Sequence, residues 1–87
     1  MQHRAFCRGE TVLMHDTPLE FLVIVAVGEL RLARTTAGGR EQVIRVLGPG
    51  DFLGEMALFT RVSLEGDLVA TQDTNVCLVS RSAVQGL

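Results

Sequence analysis

Residues 21–30 read FLVIVAVGEL, and the reading of this stretch decides the fold. Phe21–Val27 is apolar throughout, rich in β-branched side chains, and runs to a glycine without a polar break. It is far shorter than the roughly 20 residues of a membrane-spanning helix. It reads instead as a central strand apolar on both faces. Gly28-Glu29 then makes a tight connection into Leu30–Arg34, where Leu30 and Leu32 share one face opposite Arg31.

Outward from this unit the pattern repeats. Short apolar segments alternate with turn signals at intervals of about ten residues, the rhythm of an all-β sandwich or barrel. Arg4–Cys7 and Thr11–Met14 flank a turn at Arg8-Gly9-Glu10. Gly38-Gly39 is expected to supply the positive φ angles of a hairpin that returns through Gln42–Leu47. Gly48-Pro49-Gly50-Asp51 fits a type II turn, with Pro first and Gly second of its central pair. Leu64–Thr71 and Val76–Ser80 read as further strands, separated by Gln72-Asp73-Thr74-Asn75. Gly54-Glu55-Met56-Ala57-Leu58-Phe59 departs from the rule: it lacks alternation and follows a glycine with good helix formers. A short helix is expected at about 54–59. A second is expected to start at about 81–87, with Ser80 as its N-cap.

Composition sets the limits on function. Eighty-seven residues, 47% hydrophobic and 21% charged, are enough for one modest core and one domain over 1–87. The net charge of −2 argues against a nucleic-acid surface, although all eight basic residues are Arg. The start has no hydrophobic signal region and no run is long enough to enter a membrane, so a soluble, cytoplasmic chain is expected. Two cysteines and two histidines lack the spacing of a zinc site, and no metal is expected. Neither a Gly-x-Ser-x-Gly elbow nor a P-loop is present, and catalysis is not expected.

Three segments together carry a family likeness: Phe21–Val27-Gly28-Glu29-Leu30, the run from Leu47-Gly48-Pro49-Gly50-Asp51 to Gly54-Glu55-Met56-Ala57-Leu58-Phe59, and Ala70 through Asp73-Thr74 to Val79-Ser80-Arg81. With them the chain resembles the cyclic nucleotide-binding domain, in style the catabolite-activator and fumarate–nitrate-regulator (Crp/Fnr) branch of bacterial transcription factors. The resemblance implies a mainly β fold, an eight-stranded β-roll (a double-stranded β-helix, or jelly roll). It also implies a phosphate-binding cassette at Gly54, Glu55, Met56, Ala57 and Leu58, with a cyclic nucleotide as ligand. In that cassette backbone N–H groups cradle the phosphate and Glu55 accepts from the ribose 2′-hydroxyl. Ser63 and Leu64 fall in the stretch that follows, where the family pattern carries an Arg that neutralises the phosphate.

Here the pattern breaks. Ser63-Leu64-Glu65-Gly66-Asp67 puts Leu64 or Glu65 at the Arg position, and both nearby charges are negative. Weakened binding of cyclic AMP and cyclic GMP is the expectation, with a small anionic effector as the partner class. A second departure is His15-Asp16, where the family has Gly-Asp, so that turn is expected to be reshaped. The first and last strands of the implied fold are neighbours. Cys7 and Cys77, if opposite each other, would form a redox pair; the favoured reading is two small apolar side chains kept reduced. The resemblance implies a regulatory sensor domain that dimerises through a helix beyond residue 87, with DNA binding also outside this chain. The alternative is a β-roll interaction module without a nucleotide ligand, attached to an enzyme or transporter.

Overall fold

The computed structural model describes residues 2–55 and 62–80. The helices expected at 54–59 and 81–87 fall largely or wholly outside them. Eight strands run in the order β1 (Gln2–Phe6), β2 (Thr11–Leu13), β3 (Phe21–Val27), β4 (Leu30–Thr35), β5 (Glu41–Leu47), β6 (Phe52–Leu53), β7 (Asp67–Ala70) and β8 (Thr74–Ser80). They form two four-stranded sheets, β1-β8-β3-β6 and β2-β7-β4-β5, antiparallel in every pairing. This is the expected β-roll: the first strand lies beside the last, and each sheet alternates between the two halves of the chain.

Period-two alternation explains which residues fill the space between the sheets. Val23 and Val25 of β3, Leu30 and Leu32 of β4, Leu68 and Ala70 of β7, and Val76 of β8 are buried, and Leu47, Leu53 and Leu64 complete the core. Each fully buried Val or Leu contributes about 1.5–3 kcal/mol. Leu30 and Leu32 share a face as the sequence implies. β3 departs in part from its expected two-sided burial, because Leu22 and Ile24 are half-buried while Phe21, Ala26 and Val27 are exposed.

The β3–β4 connection shows why a glycine stands at position 28. Gly28 has φ +98°, and a Cβ there would collide with the Thr74 side chain and approach the Asp73 carbonyl to 2.5 Å. The next residue locks onto the same neighbours. Glu29 N donates to Thr74 Oγ1 at 3.1 Å, Thr71 Oγ1 donates to Glu29 Oε2 at 2.7 Å, and Thr71 N donates to Glu29 O at 3.0 Å. Thr74 itself is 2% exposed and donates to the Gln72 carbonyl at 2.8 Å, so its buried hydroxyl is satisfied.

Two turns and one strand differ in detail from expectation. Only Gly39 of the Gly38-Gly39 pair has positive φ. The left-handed residue at His15-Asp16 is Asp16 (φ 62°), not His15, and aspartate tolerates that region better than most side chains. The expected strand Leu64–Thr71 begins only at Asp67, because residues before it pair with an irregular strap rather than with a sheet. The turn at 48–51 is as expected: Gly50 has positive φ, and Asp51 N donates to Gly48 O at 2.9 Å.

Candidate functional site

A cavity of about 260 Å³ opens between the sheets where β6 ends. Its floor is apolar, made by Leu19, Leu32, Ile44, Leu53, Val62 and Leu64. Its polar groups are few: Gly54, Glu55, Ser63, Glu65 and Arg45. An apolar floor with a small set of convergent polar groups is the usual make-up of a small-molecule site.

Each wall has an identifiable support. Two residues of β6 pair with the middle of β3, Leu53 opposite Val23 and Phe52 opposite Ile24, and this delivers Gly54 and Glu55 to the rim. Gly54 has φ +103°, and a Cβ on it would lie 2.6 Å from the Phe21 carbonyl oxygen, so only glycine fits. The opposite wall is a strap. Leu19 N donates to Val62 O at 3.0 Å, Leu64 N to Thr17 O at 3.0 Å and Asp16 N to Leu64 O at 2.9 Å, with Ser63 bridged to Pro18.

This strap sorts the residues named from the sequence. Leu64 is 3% exposed and both its backbone polar groups are committed, so it offers a ligand only apolar surface. Ser63 is exposed at the cavity, and among the described residues its hydroxyl makes no hydrogen bond. Glu55 and Glu65 are exposed and border the same cavity. Asp67 does not: its Oδ1 accepts from His15 N at 2.8 Å and lies 3.4 Å from His15 Nδ1, so one of the two suspected carboxylates faces elsewhere. Met56, Ala57 and Leu58 lie outside the described residues.

The two cysteines are not brought together. His3 stands opposite Cys77 in the β1–β8 register, and Cys77 Sγ lies 3.3 Å from His3 Nδ1. Cys7 follows Phe6, whose partner is Thr74, so it sits four positions along the strand from His3. At about 3.3 Å per residue that is about 13 Å, well beyond the roughly 7 Å between Cα atoms that a disulfide spans. The pairing of His3 with Cys77 carries no spacing signal in the sequence. Among the described residues no cluster of three or more His, Cys, Asp or Glu is placed to hold a metal.

Arg45 is the cavity residue the motif left out. Leu32 and Arg45 are directly paired, and a bulge follows, so that Ala33 pairs with Val43 and Ile44 is the extra residue. Leu30 pairs with Leu47 and Leu32 with Arg45, which puts Arg45 on the inward face of β5 beside two core leucines. Counting inward positions back from Leu47 by two is the signal that finds it.

Comparison with known proteins matches residues 3–87 to the cyclic nucleotide-binding domain. A cyclic AMP receptor protein from Thermus thermophilus is 34% identical over 80 residues, 92% of this chain and 37% of that protein. A transcriptional activator protein, FnrL, from Cereibacter sphaeroides is 30% identical over 79 residues, 91% of this chain and 31% of that protein. The crystal structure of the Thermus thermophilus catabolite activator protein superposes with a TM-score of 0.87 at 32% identity, covering 98% of this chain and 40% of that one. The chain therefore spans well under half the length of these relatives. No helix among the described residues is long and apolar enough to cross a membrane.

Proposed function

The chain belongs to the cyclic nucleotide-binding domain family, and from that premise we propose that it is the effector-sensing part of a Crp/Fnr-type transcription regulator. Its cavity takes a cyclic nucleotide or a related small anion, with lower affinity than a site that keeps the cassette Arg. The domain itself is not catalytic. DNA binding and dimerisation through a following helix belong to the rest of the regulator. The names of the two relatives, a cyclic AMP receptor and a transcriptional activator, support the regulator reading.

The observation that carries the proposal is the cavity itself, rimmed by Gly54 and Glu55 and faced by Ser63. Gly54, with no Cβ, lets the end of β6 close against the Phe21 carbonyl and so sets Glu55 at the rim, where its carboxylate accepts from a ribose hydroxyl. At about 260 Å³ the cavity lies just below the usual ligand-pocket range of roughly 300–1,000 Å³. That suits a ribose and its cyclic phosphate, with the base reaching out over the rim. The lowered affinity follows from Leu64 and Glu65. Neither offers a cation, and Glu65 adds a negative charge beside the phosphate.

A nuclear magnetic resonance titration of the isotope-labelled chain with cyclic AMP and cyclic GMP tests this reading. Shifts confined to Gly54, Glu55, Ser63 and Glu65, saturating near or above 0.1 mM (about 3 kcal/mol weaker than a micromolar site), are expected. No shift at these residues at millimolar nucleotide would favour the ligand-free interaction module instead.

A further inference from the structure

Arginines on β4 and β5 divide by face. Arg31, opposite Val46 on the outer face, forms an ion pair with Glu41 at 3.3 Å. Arg34 Nε donates to Gln42 Oε1 at 2.9 Å. Arg45 points to the face opposite Arg31, in phase with Leu32 and Leu47. It is half-buried, borders the cavity, and its side chain has no hydrogen bond or ion pair among the described residues. Glu55 and Glu65 border the same cavity, yet neither is in ion-pair contact with it.

An arginine half-buried at an apolar cavity wall with no counter-charge beside it is well placed to take one from a ligand. If this position served only the core, a leucine would suit the inward face better, beside Leu32 and Leu47. The bulge at Ile44 adds to the argument. Bulges re-aim side chains, and this one sits next to Arg45 at the cavity wall. The long stem packs along the apolar floor while the head stays free to meet a ligand.

We propose that Arg45 supplies the cation for the anionic group of the effector, from β5 across the cavity rather than from the segment after Phe59. The ligand class is a small phosphate-bearing molecule, whose oxygens match the planar fork of a guanidinium. This rests on the effector-sensing reading above. Glu55 then faces the polar, uncharged part of the ligand, and Arg45 offsets at the anionic group the repulsion that Glu65 adds. The cavity thus keeps a positive pole although the cassette position has lost one.

The test compares Arg45→Gln and Arg45→Lys with the unmodified chain and with Arg31→Gln, a surface charge removed from the outer face. Cyclic AMP, adenosine and inorganic phosphate are the probes, followed by amide shifts of the labelled chain to millimolar concentration. Arg45→Gln is expected to lose tenfold or more in cyclic AMP affinity and to bind adenosine as before. Arg45→Lys recovers part of the loss, and Arg31→Gln stays within twofold. Arg45→Met, which keeps the apolar stem, serves if the Gln variant does not fold. Cyclic AMP binding unchanged within twofold by Arg45→Gln or Arg45→Met overturns the role of Arg45 and leaves the effector reading standing. Absence of any shift at the cavity of the unmodified chain, with cyclic AMP or phosphate, overturns both.

Discussion

Glu65→Arg should strengthen cyclic AMP binding by about tenfold, and the structure says why this position and not its neighbour. The family pattern alone leaves two registers open, Leu64 or Glu65. Leu64 is 3% exposed, and its backbone is tied to Thr17 and Asp16, so an Arg there would bury a charge in the core. An uncompensated buried charge costs about 3–5 kcal/mol, a large share of the stability of so small a domain. Glu65 is exposed and lines the cavity, so an Arg there reaches the ligand from solvent. A hydrogen bond to a charged group contributes about 1.5–3 kcal/mol. Exposure puts this one at the lower end, and 1.4 kcal/mol is about tenfold in affinity. Glu65→Gln separates the two parts of the effect. Removing only the repulsion of one exposed carboxylate is expected to gain about twofold. Calorimetry or a shift titration with cyclic AMP, and adenosine as the uncharged comparison, gives the three affinities. A Glu65→Arg chain that binds no tighter than the Glu65→Gln chain, or a gain that adenosine shares, refutes the assignment of this wall to the phosphate side.

Three further outcomes follow from contacts already described. Gly54→Ala meets both a positive φ and the Phe21 carbonyl at 2.6 Å. Such backbone strain costs about 1–3 kcal/mol before any displacement, so thermal unfolding should fall by about 10 °C or more; a change under about 2 °C contradicts the close approach. Thr74→Val strands the Glu29 N–H in a half-buried turn and should cost about 1–3 kcal/mol by denaturant titration, whereas a neutral result means that the hydroxyl is not the hub of the β3–β4 connection. Mild oxidation of the folded chain should leave both thiols free within each molecule. A mass loss of two hydrogens that reductant reverses would contradict the β1–β8 register.

Much of this fold is legible because alternation and turn chemistry agree along the chain. Phe21–Val27 and the inward pair Leu30 and Leu32 are strands by pattern, and they are strands in the structure. β6 is not legible, since Phe52–Leu53 is too short to alternate and exists only through its pairing with β3. The late start of β7 has a similar cause. Val62–Leu64 is held by Thr17–Leu19, a contact across more than forty residues that no local signal announces. Gly54, Glu55 and Ser63, which motif spacing marks in the sequence, all line the candidate cavity. Whether Glu65 or Asp67 faces the cavity depends on the turn at His15-Asp16, which takes Asp67 away. Arg45 lies in phase with Leu47, but no motif marks it, and only the pairing with β4 shows that this face of β5 turns inward.

At the heart of the proposed function stands the cavity bounded by Gly54, Glu55, Ser63 and Arg45, read as an anionic-effector site that lacks the cassette cation. The measurement that tests it most directly is a single titration of the unmodified chain with cyclic AMP, read residue by residue. Saturable shifts at these residues are expected, with a dissociation constant near or above 0.1 mM, about 3 kcal/mol weaker than a micromolar site. Low-micromolar binding, or shifts that map away from the cavity, would contradict it.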